Sequence, residues 1–147
     1  MCGLCIRPGQ PEERQYLEDL QRRASLVHEV HREALLAHPE AITLPAEQIE
    51  RGEVLVAEID KRIAGFAVVL DDHGKAELDG LFVEPDLWRN GVGLALIEAA
   101  AAEARRRGLG PLKVIANPTA EEFYIKSGFV MEGMADTQFG PGIRMTR

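Results

Sequence analysis

The sequence predicts an α/β fold in which helices cover a mixed β-sheet. The chain has 147 residues, 46% of them hydrophobic, which suits one domain with one sizeable core. Apolar residues recur with the helical period in some stretches and alternate in others. The resulting order is strand, helices, three strands, helix, strand, helix and two strands. This order gives about seven strands and about four helices, and we expect residues 1–147 to form a single domain.

The first third of the chain combines a short strand with helical sequence. Leu4–Arg7 is expected to form the first strand, with Cys5 as a buried thiol. After a Pro-Gly turn, apolar residues recur at helical spacing as far as Leu35, which predicts one long helix or two short ones. A connecting loop then reaches Pro45, and a short helical turn is expected over Ala46–Glu50.

The middle of the chain is rich in β-forming residues. Three strands are predicted there, at Glu53–Ile59, Ile63–Leu70 and Lys75–Val83. The connections between them have hairpin length. Because such short connections join antiparallel neighbours, we expect the three strands to pair in chain order.

The last third of the chain alternates helices and strands. A strong helical pattern runs over Gly91–Arg107, followed by a short apolar strand at Leu112–Ala116. A second helix is predicted over Thr119–Ser127, with Thr119 as its N-cap. Two final strands are expected, at Phe129–Met134 and Thr137–Met145.

Charge and composition exclude several classes of protein. The formal net charge is -7 and the isoelectric point is about 5.1, whereas nucleic-acid affinity depends on clustered Lys and Arg. No uninterrupted apolar stretch approaches membrane-spanning length, and no secretory leader pattern is present. We therefore expect a cytoplasmic protein with no nucleic-acid or membrane partner.

Two short patterns could suggest redox or metal chemistry, and neither is favoured. Cys2 and Cys5 form a C-x-x-C motif, but this motif does not open a helix after a strand as redox motifs do. His28 and His31 are one residue too close for a zinc-binding H-E-x-x-H helix, and no third ligand is obvious. We expect no bound metal.

The segment from Glu77 to Leu94 has the character of an anion-binding site. A predicted strand leads into a loop that ends at a helix start containing Gly91 and Gly93. Glycines let the backbone approach a ligand, and free amides at a helix N-terminus attract anions such as pyrophosphate. The Walker loop's Gly-Lys-Ser/Thr is missing, and Leu96 stands where a dinucleotide motif needs glycine. Nucleoside triphosphatases and dinucleotide-binding folds are therefore disfavoured.

Two motifs in this chain resemble those of the GNAT acyltransferases. Val83-Glu84-Pro85 followed by Trp88-Arg89-Asn90-Gly91-Val92-Gly93 is similar to the family's acetyl-CoA signature. The segment 116–129, with its Asn, Phe-Tyr and Gly-Phe positions, is similar to the family's second signature. Trp88 departs from the pattern, since the family often has Gln or Arg there. Its side chain could cover the cofactor or pack against the loop.

The resemblance implies the acyl-CoA N-acyltransferase fold, in which the fourth and fifth strands splay apart and hold acetyl-CoA between them. The pantetheine arm would pair with the strand-four backbone, and an amide near Phe82 or Val83 would hold the oxyanion. Asn117 would bond the pantetheine amide, or would only start a turn. The implied cofactor-binding residues are Leu81, Phe82, Val83, Trp88, Arg89, Asn90, Gly91, Val92, Gly93 and Asn117.

Three residues are candidates for the chemistry. The resemblance implies that Tyr124 protonates the departing thiolate, although it could instead pack on the sheet beside Phe123. Glu77 and Asp79 would share one face of a regularly alternating strand and could accept the amine proton, directly or through water. The two carboxylates could equally bind a cationic substrate or form an exposed polar face.

These features predict an N-acetyltransferase that transfers the acetyl group of acetyl-CoA to a primary amine. The acceptor would be a small molecule or a peptide, attacked in a ternary complex with no acyl-enzyme. One alternative is a non-catalytic acyl-CoA sensor, and another is a transferase acting on charged tRNA, which the acidic composition disfavours. A homodimer through the final strands is a further expectation.

Overall fold

The chain folds around one seven-stranded sheet in the computed structural model, which describes residues 3–26, 33, 36–38, 42–88, 90–137 and 140–147. The sheet order is β1-β2-β3-β4-β5-β7-β6. All neighbouring strands are antiparallel except β4 and β5, which are parallel. The strands are β1 Leu4–Pro8, β2 Val54–Ile59, β3 Arg62–Asp72, β4 Lys75–Val83, β5 Leu112–Ala116, β6 Val130–Thr137 and β7 Gly140–Thr146.

Four helices have both ends among the described residues, in agreement with the roughly four that the sequence predicts. They are α1 Arg14–Leu26, α2 Ala46–Glu50, α3 Val92–Arg106 and α4 Glu121–Lys126. Single 3-10 turns precede α1, α3 and α4, at Pro11–Glu13, Pro85–Leu87 and Pro118–Ala120. Each of these turns begins with proline, whose fixed φ and missing amide suit the first position of a helical turn.

The sheet is buried on both faces in its first half. Helix α3 packs on one face, where Leu96 and Ile97 are fully buried. Helices α1 and α2 pack on the other face, where Leu17 and Leu20 contact Phe66 of β3 in a second apolar cluster. Strands covered on both faces are apolar throughout rather than alternating, which explains the continuous hydrophobic runs of β2 and β3.

Strands β4 and β5 separate soon after they meet. Their pairing is limited to Ala76 with Leu112 and Glu77 with Lys113. A β-bulge follows at once, because Val68 of β3 opposes Gly80 while Val69 opposes Leu78. The intervening residue of β4 has no partner in this register, and such a bulge bends the strand. The predicted splayed pair is therefore confirmed, and the end of β4 has no strand neighbour on its β5 side.

Three local predictions are wrong. Cys5 is exposed rather than buried, because β1 is an edge strand whose Leu4 and Ile6 face the core and leave the residue between them on the opposite face. The turn before α4 is capped by Asn117 rather than Thr119. The final strands are shifted towards the C-terminus of the chain. Cys2, His28 and His31 lie outside the described residues.

None of the helices within the described ranges is long and apolar enough to cross a membrane.

The core around α3 predicts a measurable difference between two leucines of that helix. Leu96 is fully buried, whereas Leu94 is 41% exposed. We expect Leu96→Ala to lower the free energy of unfolding by about 2–5 kcal/mol, because it removes buried methyl groups and leaves a cavity. The matched control Leu94→Ala should change it by less than about 0.5 kcal/mol. Equal effects in urea denaturation would contradict this placement of α3.

Candidate active site

A cavity of about 360 Å³ opens where β4 and β5 diverge. Its walls come from β4, the loop before α3, the first turn of α3, helix α4 with the turn before it, and helix α1. Seven of the predicted site residues line it: Leu81, Phe82, Val83, Trp88, Val92, Gly93 and Tyr124. The structure therefore brings both sequence motifs to one concave and mostly apolar site, as is usual for ligand pockets.

The backbone of β4 offers alternate residues to the cavity. The amide of Glu84 donates to the carbonyl of Ala64 in β3 at 2.8 Å. Alternate residues of an antiparallel strand face the same neighbour, so Phe82 also bonds towards β3. Leu81 and Val83 therefore direct their backbone groups to the side of the cavity. Of the two amides expected to hold an oxyanion, the one that faces the cavity is that of Val83.

Trp88 bridges the loop and the end of β4. Its indole Nε1 donates to the carbonyl oxygen of Val83 at 2.9 Å, and its ring lines the cavity. The Asn90 side chain holds the same loop, since its Nδ2 donates to the carbonyls of Leu87 at 3.1 Å and Trp88 at 3.3 Å. Trp88 thus packs against the loop and also borders the cavity. Arg89 lies outside the described residues.

Gly91 and Gly93 of the loop motif are each required for a different structural reason. Gly91 is the N-cap of α3 with φ 78°, a left-handed conformation that glycine adopts without strain. Gly93 lies against Phe123 of α4, and a Cβ there would be 2.9 Å from the ring Cζ. The missing side chain of Gly93 therefore lets α3 begin close to α4.

The first turn of α3 presents free amides beside the cavity. The first helical hydrogen bond runs from the amide of Ala95 to the carbonyl of Gly91 at 3.0 Å. The amides of residues 92–94 precede it and have no carbonyl partner within the helix. Together with the positive end of the helix dipole, they favour a bound anion such as a pyrophosphate.

Tyr124 is held in the cavity wall by aromatic contacts. Its ring packs edge-on against Phe123 at 5.2 Å and Phe129 at 5.3 Å between centroids. The residue is only 8% exposed, and burial raises the pKa of its phenol to about 12. Its hydroxyl has no hydrogen-bond partner among the described residues. Tyr124 therefore stays protonated at physiological pH and can donate a proton or a hydrogen bond to a ligand.

Glu77 and Asp79 lie on the face of the sheet opposite α3, and neither lines the main cavity. Partial burial raises the pKa of Glu77, and the charges of Asp79 and Asp72 raise it further, against the opposing effect of Lys113. Burial alone raises the pKa of Asp79. Asp79 is the extra residue of the bulge, so the alternation of β4 is regular from Glu77 to Asp79 and is interrupted directly after it.

Glu77 instead borders a second, smaller cavity of about 130 Å³. Its other charged wall residues are Asp72, Lys113, Glu132 and Arg144. Lys113 lies 3.7 Å from Asp72 as an ion pair. The two predicted carboxylates are thus separated from Tyr124 by the sheet.

Asn117 has a local structural role. Its Oδ1 accepts hydrogen bonds from the backbone amide and the hydroxyl of Thr119, both at 2.9 Å. These bonds cap the 3-10 turn before α4. Asn117 is not among the residues that line the cavity, and its contact with pantetheine stays a prediction.

Helix α1 contributes two residues to the site that sequence reasoning did not name. Ala24 and Ser25 of this helix line the cavity, although they lie more than fifty residues before the first motif. No local pattern marks them, since small residues on a helix face are typical of ordinary packing. Among the described residues, no group of three His, Cys, Asp or Glu side chains lies close enough together to hold a metal ion.

Comparison with known sequences identifies the family. The profile of the Acetyltransferase (GNAT) domain matches residues 27–147. The chain belongs to the GNAT acetyltransferase family. The match includes the loop from Trp88 to Gly93, both motifs and Tyr124. It begins directly after the end of α1. A search of curated proteins finds no match to this GNAT chain.

Solved structures of acetyltransferases share the fold. PaiA N-acetyltransferase from Thermoplasma acidophilum, in complex with coenzyme A, is 21% identical, covers 98% of each chain and has a TM-score of 0.79. A GCN5-related N-acetyltransferase from Rhodopseudomonas palustris is 25% identical, covers 100% of this chain and 96% of its own, and has a TM-score of 0.75. Ribosomal-protein-S18-alanine N-acetyltransferase from Escherichia coli is 20% identical, covers 97% and 92%, and has a TM-score of 0.69.

The buried phenol of Tyr124 predicts a stability change at high pH. Its pKa is about 12 when folded and 10.0 when unperturbed, so the unfolded chain ionises first as pH rises. Stability should fall from about pH 10 and lose roughly 2–3 kcal/mol by about pH 12. Tyr124→Phe removes this titration, so the variant should gain stability relative to wild type over that range. Parallel stability curves for the two proteins in denaturant titrations would contradict the buried phenol.

Proposed function

We propose that this GNAT chain is an acetyl-CoA-dependent N-acetyltransferase, working as one domain over residues 1–147, that acts on a primary amine of a small molecule or a peptide. The observation that carries the proposal is a single one. A protonated, buried Tyr124 faces the same cavity as the unpaired edge of β4. Acyl transfer from a thioester needs both features, an acid for the leaving sulfur and a backbone amide for the oxyanion.

The cofactor would lie along the cavity from α3 to Tyr124. The amides of the first turn of α3 and the loop before it would bind the pyrophosphate. The backbone groups of Leu81 would pair with the pantetheine arm in the manner of an added strand, since the Val83 carbonyl already accepts from Trp88 and its amide would hold the oxyanion. The coenzyme A bound to PaiA N-acetyltransferase, a protein of the same fold, supports acetyl-CoA as the ligand.

The reaction would proceed by direct attack in a ternary complex. The acceptor nitrogen adds to the thioester carbonyl, and the amide of Val83 stabilises the resulting oxyanion. The tetrahedral intermediate collapses as Tyr124 gives its proton to the coenzyme A sulfur. The amine proton leaves through water to Glu77 or Asp79, whose pKa values are raised above the ordinary carboxyl range, which makes each carboxylate a stronger base. No acyl-enzyme is needed, and Cys5 lies in β1, separated from β4 by two strands.

One observation favours the alternative of a non-catalytic acyl-CoA sensor. Glu77 and Asp79 do not share the cavity of Tyr124, so a direct base is missing from that cavity among the described residues. A sensor would keep the cofactor cradle and would not turn over. The two functions differ in whether any amine consumes the thioester.

The proposed homodimer would use the edge strand β6. This strand ends the sheet and exposes Val130, Met131 and Met134. Exposed apolar edge strands are suited to pairing with another chain.

Removing the phenol hydroxyl tests the assignment of the general acid. We expect Tyr124→Phe to lower kcat by about a hundredfold or more, because the thiolate then leaves without a proton. The ring contacts with Phe123 and Phe129 remain, so the acetyl-CoA Kd from calorimetry should be unchanged. The measurement is thioester consumption with polyamines, amino acids, aminoglycosides and peptides as acceptors.

Three results would revise this proposal. An unchanged kcat in Tyr124→Phe would remove the acid role from that residue. Tight binding of acetyl-CoA without turnover on any amine would favour the sensor. A failure to bind acetyl-CoA would mean that the loop from Trp88 to Gly93 has another ligand.

The carboxylates of β4 predict the acid side of the pH profile. A base works only when deprotonated, so kcat/KM should fall as pH falls through the raised pKa of Glu77 or Asp79. Replacing the working base, by Glu77→Gln or Asp79→Asn, should lower kcat by about tenfold or more and remove that limb. Glu122→Gln on the exposed face of α4 serves as the matched control. Unchanged profiles in both β4 variants would exclude the two carboxylates as bases.

A further inference from the structure

A buried carboxylate lies between helix α1 and the turn that leads into the loop from Trp88 to Gly93. Glu84 is 4% exposed and is the one buried charged residue among those the structure describes. Its Oε1 accepts from Nε of Arg23 at 3.1 Å, and its Oε2 accepts from Nη2 of the same residue at 2.8 Å. The hydroxyl of Tyr16 donates to Oε2 at 3.0 Å. We call Glu84, Arg23 and Tyr16 the Glu84 cluster.

Burying the Glu84 carboxylate costs free energy, although the Arg23 side chain is 45% exposed and Tyr16 is 41% exposed. The value of the cluster to the protein therefore needs a reason other than stability. A desolvated ion pair is often no better than apolar residues of the same volume, whereas loss of one partner leaves an uncompensated charge. The fork of Arg23 matches the two oxygens of Glu84 in a fixed orientation. The Arg23 guanidinium also lies 5.4 Å from the centre of the Tyr16 ring, which restricts it further. Such a cluster fixes geometry.

The backbone of Glu84 is itself held in place by hydrogen bonds to β3 and to the 3-10 turn after β4. Its amide donates to Ala64 of β3 at 2.8 Å, and its carbonyl accepts from the amide of Leu87 at 2.9 Å. It therefore joins the end of β4 to the 3-10 turn that opens the loop. Its carboxylate is a fixed point relative to the strand edge and to the loop.

Arg23 and Tyr16 belong to helix α1, which forms a separate wall of the cavity through its neighbouring residues Ala24 and Ser25. These two members of the Glu84 cluster lie two turns apart on α1, and Arg23 immediately precedes Ala24 and Ser25, which line the cavity. The N-terminal half of α1 is packed into the core through Leu17 and Leu20. The cluster fixes the part of the helix that borders the cavity.

We propose that the Glu84 cluster positions α1 across the cavity and thereby sets the approach of the acceptor amine. The three members are positioning residues, since they act through Ala24 and Ser25. The inference rests on the proposed transferase function. The cofactor contacts of β4, the loop and α3 are held by bonds of their own, such as those of Trp88 and Asn90. A displaced α1 should therefore affect the acceptor more than acetyl-CoA.

Kinetics separate these two effects. We expect Glu84→Gln to raise the acceptor KM by about tenfold, the equivalent of one charge-assisted hydrogen bond, and to change the acetyl-CoA Kd by less than about twofold. Arg23→Lys should have a similar effect because it loses the fork. Tyr16→Phe, which removes one bond from an exposed residue, should act in the same direction and more weakly.

A matched control lies in the same turn. Asp86 and Arg62 form an ion pair at 3.1 Å, with side chains 63% and 50% exposed. Exposed pairs contribute little, so Asp86→Asn should leave both constants within about twofold of wild type. The comparison separates the effect of the buried Glu84 carboxylate from a general effect of charge near the loop.

Amide hydrogen exchange tests the positioning independently of turnover. In Glu84→Gln, exchange in α1 should accelerate by about tenfold or more, and in Tyr16→Phe by a smaller but measurable factor, while exchange in α3 stays as in wild type in both. Unchanged exchange in α1, or equal shifts in acceptor KM and acetyl-CoA Kd, would overturn the proposal. If wild type turns over no amine, the transferase function fails, whereas the exchange of α1 still decides whether the cluster positions it. If Glu84→Gln does not fold, Tyr16→Phe carries the test.

Discussion

The end of the pairing between β4 and β5 is the constraint on which the site depends. After Glu77 and Lys113 the two strands separate, and the end of β4 keeps backbone groups that no strand satisfies. Backbone donors and acceptors left unpaired in an interior are costly unless water or a ligand bonds them. An extended ligand that carries amides, as pantetheine does, satisfies them. The bulge at Asp79 bends β4 at the same place. The separation of β4 from β5 and the formation of the cavity therefore have the same structural origin.

The second constraint is the start of α3. Its free amides are useful only if they lie beside the unpaired strand edge, and two contacts hold them there. Gly93 allows close approach to Phe123 of α4, and the Trp88 indole bonds the Val83 carbonyl at the end of β4. The aromatic pair of Phe123 and Tyr124 then places the phenol at the other end of the same cavity. The proposed cofactor binding and the proposed acid catalysis would thus depend on one packing arrangement.

Some carboxylates near the site lower the stability of the fold, because the folded protein partly removes them from water. Glu77 and Asp79 have raised pKa values because the folded protein desolvates them. Each therefore favours the folded state less as pH rises through the normal carboxyl range, when the unfolded chain ionises more readily. Glu84 is desolvated more completely, yet Arg23 and Tyr16 satisfy it. Glu77 and Asp79 remain open to water and could take up a proton, whereas the carboxylate of Glu84 is fully engaged in holding its two partners.

The order of the elements, the β4 to α3 loop and the place of Tyr124 follow from the sequence by itself. Helical and strand periods, glycine spacing and the two motifs are local patterns, and local patterns survive in any tertiary arrangement. Only the tertiary structure decided that Asp79 forms a bulge, that Cys5 is exposed and that Trp88 bonds Val83. It also decided that Arg23 reaches Glu84, 61 residues away. Such contacts depend on how distant segments pack, and no periodicity within either segment encodes the partner in the other.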